Sequence, residues 1–193
     1  MAKDGKKAAD ALFYKSFLLA LILVMPVTFG LMAVADNFVP LFYGSGYDVL
    51  TTLIPIMLPS CIFLVIGTVV RTQYLIPHQE DQVYIESVCL AALVSLASNW
   101  WLVPSLGAVG AAWALLLAQA TVSLWQLWRI RDHLDCKRLW RDSLTTLSLG
   151  LFMYVVVRLV PTGSDWLGIV WSIVLGAMIY LPGVGIYALR QFK

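Results

Sequence analysis

Charged residues are scarce in this chain of 193 residues, and their scarcity argues against an ordinary water-soluble protein. Asp, Glu, Lys and Arg make up 12% of the sequence, hydrophobic residues make up 61%, and the mean hydropathy is +0.84. Soluble domains carry about 25% charged residues. The composition therefore predicts an integral membrane protein, and it offers no basic, aromatic-rich face for nucleic acid.

Motifs for catalysis and for metal binding are missing as well. The three cysteines form no CxxC or Cys/His pattern, and their number and placement argue against a disulfide framework. No glycine-rich phosphate loop is present, and neither His78 nor His133 stands beside a recognisable nucleophile. The sequence therefore predicts no catalytic residue, no metal and no cofactor. A membrane-embedded enzyme without a known motif stays an alternative that nothing in the sequence favours.

What the chain has instead is six long apolar stretches separated by short polar loops. Most of them contain the roughly 20 residues that a helix needs to cross a hydrocarbon core about 30 Å thick. The predicted spans are Ser16–Ala35, Val49–Val70, Val83–Leu102, Val109–Trp128, Leu144–Val160 and Trp166–Leu189. The expected fold is an all-α, multi-pass transmembrane bundle in which residues 1–193 form a single membrane domain.

The positive charges give the predicted orientation. If the chain crosses six times, only Arg158 of the thirteen Lys and Arg residues falls near the outer face. The other twelve lie on the inner side: Lys3, Lys6, Lys7, Lys15, Arg71, Arg129, Arg131, Lys137, Arg138, Arg141, Arg190 and Lys193. Basic residues near span ends set orientation, so both termini are predicted to be cytoplasmic. The first span exceeds the roughly 7–15 apolar residues of a signal peptide, so it is predicted to be retained.

Three connections carry further predictions. The outer loop from Asp36 to Asp48 is rich in aromatic and apolar residues, which suits a position at the membrane interface. Small residues around Gly107 and Gly110 predict that spans three and four form a tight hairpin. The inner loop, residues 129–142, carries five cations and is predicted to anchor the topology, with an amphipathic surface helix as the alternative. Its lipid-facing residues would be Ile130, Leu134, Leu139 and Trp140.

Polar side chains near membrane depth are the best candidates for function, because they are costly in hydrocarbon and usually need a partner or water. The predicted substrate-binding residues are Arg71, Gln73, Asn99 and Gln119. The planar guanidinium of Arg71 suits a phosphate, although this side chain can also extend to the inner interface. The amides of Gln73, Asn99 and Gln119 suit sugar hydroxyls, and those of Asn99 and Gln119 equally suit hydrogen bonds between helices.

Three motifs, in order, resemble bacterial polysaccharide flippases. The first comprises Pro26, Phe29–Gly30, residues 38–44 (FVPLFYG) and Tyr47; the second is residues 73–77 (QYLIP). The third is Asn99 and Pro104 followed by GA-x-GAA at residues 107–112. The resemblance extends over residues 15–128. The family often has a second Asn four residues before Asn99, where this chain has Ser95.

This family belongs to the multidrug/oligosaccharidyl-lipid/polysaccharide exporter superfamily. The resemblance implies about 12 to 14 helices in two lobes around a cavity, with transport by alternating access. The implied substrate is an undecaprenyl-linked oligosaccharide, carried across the bacterial plasma membrane. Residues 1–193 would form the C-terminal part, with membrane lipids and either a missing N-terminal lobe or another chain as partners.

Two other functions compete with this one. A non-transporting six-helix membrane module that scaffolds a glycan-assembly complex is the competing hypothesis. Cation-coupled drug export, which the same superfamily includes, is disfavoured because these spans carry no acidic residue at mid-depth.

Overall fold

A computed structural model describes residues 2–44, 46–160 and 165–192, and the side chains of all of these except residues 2–10, 190 and 192. These residues form six long helices and no strand. The helices are α1 (Ala2–Tyr43), α2 (Val49–Val70), α3 (Asp81–Leu106), α4 (Ala108–Ile130), α5 (Cys136–Leu159) and α6 (Trp166–Phe192). All six are long and apolar enough to cross a membrane, which confirms the predicted all-α, multi-pass fold.

Helix α1 lies at the centre of the bundle. It contacts α2, α5 and α6, whereas α2 also contacts α4, and α4 contacts α3. The core face of α1 carries a large apolar residue at every fourth position, a spacing that places them all on one side of a helix. These residues are Phe13, Phe17, Leu21, Met25 and Phe29. Helix α3 lies at the edge, and most of its apolar surface is exposed.

Contacts between helix ends place the first part of α1 and the last part of α6 at the same end of the bundle. The backbone N–H of Asp135, just before α5, donates to the hydroxyl of Tyr14 in α1 at 2.7 Å. Near the end of α6, the hydroxyl of Tyr187 donates to Asp142 in α5 at 2.5 Å. The first part of α1, the start of α5 and the last part of α6 therefore share one end, which we call the inner end.

The opposite, outer end carries an ion pair between α1 and α5. Arg158 donates to the carboxylate of Asp36 at 2.9 Å and to the hydroxyl of Tyr154 at 3.1 Å. Both charged side chains are more than half exposed, so water screens their attraction. We expect Asp36→Asn to lower the free energy of unfolding by no more than about 1 kcal/mol. Thermal unfolding in detergent measures this, and a much larger loss would show that the pair holds α1 and α5 together.

The first outer loop is shorter than predicted, because α1 continues from Ala35 to Tyr43. Phe38 and Phe42 stand one helical turn apart and their rings stack with centroids 5.2 Å apart, a pairing that stabilises the helical conformation. Gly44 then ends the helix at φ +78°, a conformation that glycine adopts without strain.

The alternative of a surface helix at residues 129–142 is wrong. Helix α4 runs to Ile130, a 3-10 turn covers Arg131–His133, and α5 already begins at Cys136. Ile130, Leu134 and Leu139 are buried in the core cluster that contains Phe13, so they do not face lipid. Of the four residues predicted to do so, only Trp140 is exposed.

The predicted hairpin of spans three and four is confirmed, since α3 packs along α4. Gly107 turns the chain between them at φ +59°. Residues 161–164, between the predicted fifth and sixth spans, lie outside the described residues. The side chains of Lys3, Lys6, Lys7, Arg190 and Lys193, five of the cations predicted to face inward, are also outside them.

Asp142 is a buried carboxylate at the inner end that was not among the predicted candidate residues. Asp142 is 1% exposed; one oxygen accepts from Tyr187, and the other has no partner among the described residues. Hydrogen bonds to charged groups contribute about 1.5–3 kcal/mol, so we expect Tyr187→Phe to lower the free energy of unfolding by about that much. Thermal unfolding in detergent tests this, with the exposed Tyr47→Phe as control. Equal effects of the two variants would contradict it.

Candidate functional site

A cavity of about 220 Å³ lies between α2, α3 and α4 near the inner end. Arg71 follows α2, Tyr84 lies in the first turn of α3, and Gln126 lies in the last turns of α4. The remaining lining is mostly apolar. The lining residues with polar side chains are Thr68, Arg71, Tyr84, Gln119 and Gln126.

Arg71 supplies the positive charge of this cavity. It opens a single π-helical turn, Arg71–Leu75, of a kind that is frequent at functional sites. Its guanidinium carbon lies 4.2 Å from the ring centroid of Tyr84, a cation–π contact that leaves the N–H donors available. The carboxylate of Glu86, near the start of α3, pairs with Arg129 at 3.5 Å. None of the described carboxylates forms an ion pair with Arg71.

Gln119 lies where this cavity adjoins a larger one. The second cavity, about 460 Å³ between α1, α2 and α4, extends along α2 toward the outer end. Both Gln119 and Leu64 line the two cavities. Apart from Ser60 and Gln119, the second cavity is lined by apolar residues and Cys61. The arrangement is a polar chamber at the inner end that adjoins an apolar one.

Gln126 presents a buried hydrogen-bond acceptor at the polar chamber. Its side chain is 1% exposed, and its Nε2 donates to Ser87 Oγ at 3.0 Å. Its Oε1 accepts no hydrogen bond from the described part of the chain. The oxygen lies 3.7 Å from the position that a Cβ on Gly67 would take, and Gly67 also lines the cavity.

The structure brings Arg71 and Gln119 together but does not place Gln73 or Asn99 in this cavity. Gln73 lies half-buried in the π-helical turn, outside the lining residues. Asn99 lies 15 residues beyond Tyr84 along α3, about 22 Å away at 1.5 Å per residue. Its amide donates to the backbone carbonyl of Ser95 at 2.8 Å, and it lines a separate, open cavity.

Tyr84 and Gln126 are site residues that the sequence analysis missed. A signal for Gln126 was present: it stands seven residues after Gln119, which is two helical turns and hence the same face of α4. Among the described residues, no group of three or more His, Cys, Asp or Glu side chains could hold a metal ion. One cation beside amides and hydroxyls suits an anion that carries hydrogen-bonding groups.

Comparison with known proteins gives one informative likeness. No family model matches the sequence, and no curated protein matches it. Among solved structures, the chain is similar to "Lipid II flippase MurJ, inward closed conformation", with a TM-score of 0.77 and 16% identity. The match covers 98% of this chain and 41% of that one, so the chain spans about two fifths of that flippase's length. The likeness concerns the fold: the chain is a multi-pass membrane protein with a flippase-like fold.

Proposed function

We propose that the chain forms one lobe of a transporter that moves a lipid-linked oligosaccharide across the bacterial plasma membrane by alternating access. The observation that carries the proposal is the polar chamber around Arg71, which adjoins an apolar cavity. A charged headgroup on a long apolar chain needs both environments side by side. The fold is similar to that of part of a lipid II flippase. The motifs that resemble polysaccharide flippases favour a similar cargo.

The proposed binding mode follows the two cavities. Arg71 binds the pyrophosphate, Gln119 contacts the adjoining sugar, and the 460 Å³ cavity accommodates part of the polyprenyl chain. Gln73, two residues beyond Arg71, would contact the headgroup after a local change in the π-helical turn. Asn99, at the outer end of α3, would contact the sugar on the release side. Undecaprenyl-linked oligosaccharide is the proposed substrate, as the resemblance implies.

The proposal requires a second lobe. Alternating access moves two repeats against each other around a binding site, and these six helices would form one of them. A further part of the same protein or another chain would supply the other lobe. Membrane lipids would cover the exposed apolar surface of α3 and α6, which includes Leu93 and Leu167.

Removing the gene from the cells that make the protein tests the proposal. We expect lipid-linked oligosaccharide to accumulate on the inner leaflet, which a lectin detects in inside-out but not in right-side-out vesicles. Reintroducing the intact gene should restore glycan at the outer face. If the lipid-linked precursor is never made, the protein is a scaffold for glycan assembly and the transport proposal fails.

A further inference from the structure

We propose that the exposed side of the first turns of α5 binds an anionic phospholipid of the leaflet at the inner end. The lipid phosphate lies between Lys137 and Arg141, and one acyl chain lies along the same side of the helix beyond Trp140. This site is separate from the polar chamber between α2, α3 and α4, so the inference does not depend on the proposed function.

The start of α5 carries more positive charge than its own carboxylates balance. Lys137, Arg138 and Arg141 lie there with two acidic residues, Asp135 and Asp142. The Asp135 carboxylate accepts from the backbone N–H of Arg138 at 3.4 Å, and the Asp142 carboxylate is buried. The N-terminus of a helix is already the positive end of its dipole, so cations there are unfavourable unless an anion joins them. These charges favour an additional anion at the start of α5.

Of these three cations, Lys137 and Arg141 face outward from the bundle. They stand one helical turn apart and therefore share one side of α5. Both are exposed, with 58% of the Arg141 side chain accessible. None of the described carboxylates forms an ion pair with Lys137, and Arg141 has a single contact, from Nε to Asp142 at 3.8 Å. The Lys137 ammonium and the terminal N–H groups of Arg141 are available to a phosphate.

A tryptophan and a row of leucines continue this side of α5 toward the outer end. Trp140 is 69% exposed, and Leu144 and Leu151 are 55% and 51% exposed. Lys137, Leu144 and Leu151 stand seven residues apart, which is two helical turns and hence one face. Tryptophan is enriched at the level of the lipid headgroups. Cations, an interfacial ring and an apolar strip thus follow one another in the order of phosphate, glycerol and acyl chain in a phospholipid.

The apolar strip has the length of one leaflet. Ten residues separate Arg141 from Leu151, which is about 15 Å at 1.5 Å per residue. Half of a hydrocarbon core about 30 Å thick is the same distance. A phosphate at Arg141 therefore places its acyl chain against Leu144 and Leu151. A soluble anion would contact the cations alone, so the exposed leucines favour a lipid as the ligand.

Photocrosslinking at one position of α5 tests this inference. A benzophenone amino acid replaces Leu144 in the full chain, which is reconstituted in nanodiscs of phosphatidylcholine with a minor fraction of phosphatidylglycerol carrying the same acyl chains. Mass spectrometry then gives the ratio of the two lipids in the adduct. We expect phosphatidylglycerol to be enriched about thirtyfold over its share of the nanodisc, because each of the two cations contributes about 1 kcal/mol near the membrane surface.

Leu93 in α3 is the matched control position. It is 65% exposed and stands seven residues beyond Glu86, as Leu144 stands seven residues beyond Lys137. The carboxylate of Glu86 is paired with Arg129, so this side of α3 offers no unpaired cation. We expect the adduct at position 93 to contain the two lipids in the proportion in which the nanodisc contains them.

Two substitutions test the role of the charges. Lys137→Gln changes an exposed side chain, so it should fold as the wild-type protein does and lower the enrichment at position 144 to about fivefold. Adding Arg141→Gln should remove the remaining enrichment. Equal enrichment at positions 144 and 93, or wild-type enrichment in Lys137→Gln, would overturn the site. Soluble glycerol 3-phosphate should leave the enrichment unchanged, and its loss would show a site for free phosphate and overturn a lipid as the ligand.

Discussion

Arg71→Ala should weaken binding of a polyprenyl pyrophosphate by about a hundredfold and should abolish restoration of glycan export. Hydrogen bonds to charged groups contribute about 1.5–3 kcal/mol, and a guanidinium on a phosphate makes up to two in parallel. Because Arg71 has no carboxylate partner among the described residues, its loss leaves no buried charge behind. The melting temperature should therefore change little. Lysine at this position keeps the charge but loses the planar fork, so Arg71→Lys should give an intermediate affinity.

Arg131→Ala is the matched control for this prediction. Arg131 is also an arginine at the inner end and also lies over an aromatic ring, 5.1 Å from that of Trp128. It lines neither the polar chamber nor the apolar cavity that adjoins it. Titration of both variants in nanodiscs should show a loss of affinity only for the change at Arg71. Equal losses would mean that Arg71 contributes only general positive charge.

Gly110→Ala should unfold the α3–α4 hairpin or lower the free energy of unfolding by about 3 kcal/mol or more. A Cβ at this position would overlap the backbone carbonyl of Leu102, in the last turns of α3. Backbone atoms cannot move aside as a flexible side chain can, so the helices would have to separate. Because α4 lines both cavities, the same change should also weaken binding of the headgroup.

Thermal unfolding of Gly110→Ala in detergent measures this loss of stability, and Gly185→Ala is the control. The added methyl at position 185 meets nothing within 4 Å, and alanine favours a helix by about 1 kcal/mol over glycine. We therefore expect the control to be neutral or slightly stabilised. A melting temperature for Gly110→Ala within a degree or two of the wild-type value would contradict the close contact of α3 and α4.

The sequence predicted the spans best where charges bound them closely. The second span was predicted as Val49–Val70, and α2 has these same limits, since Asp48 and Arg71 flank a continuous apolar run. The first span was predicted too short at both ends. Hydropathy identifies only the part of a helix that can lie in the hydrocarbon core of the membrane. Helix α1 continues well beyond that part on either side.

The error at residues 129–142 has a different cause. Ile130, Leu134 and Leu139 recur at a helical spacing that suits either a lipid-facing or a core-facing side. In a membrane protein both environments are apolar, so periodicity alone does not distinguish them. Only the packing of these residues near Phe13 in α1, more than a hundred positions earlier, decides the matter.

The candidate site was predictable in part. Arg71 and Gln119 stood out because they are polar residues at the end or in the middle of apolar stretches. Gln126 did not, because it lies among Trp125, Trp128 and Arg129, where a polar side chain is ordinary at an interface. Helix α2 packs against α4, which is not its neighbour in sequence, and this packing brings Arg71, Gln119 and Gln126 to one cavity. Such a tertiary contact is not visible in the sequence.

Site-specific photocrosslinking in living cells shows whether a lipid-linked oligosaccharide occupies the chamber between α2, α3 and α4. A benzophenone amino acid replaces Gln119 in one variant and Met178, a largely exposed residue of α6, in the other. After irradiation, a lectin blot reports covalently attached glycan. We expect a glycan adduct at position 119 and none at position 178. No adduct at 119, or equal labelling at both positions, would contradict it.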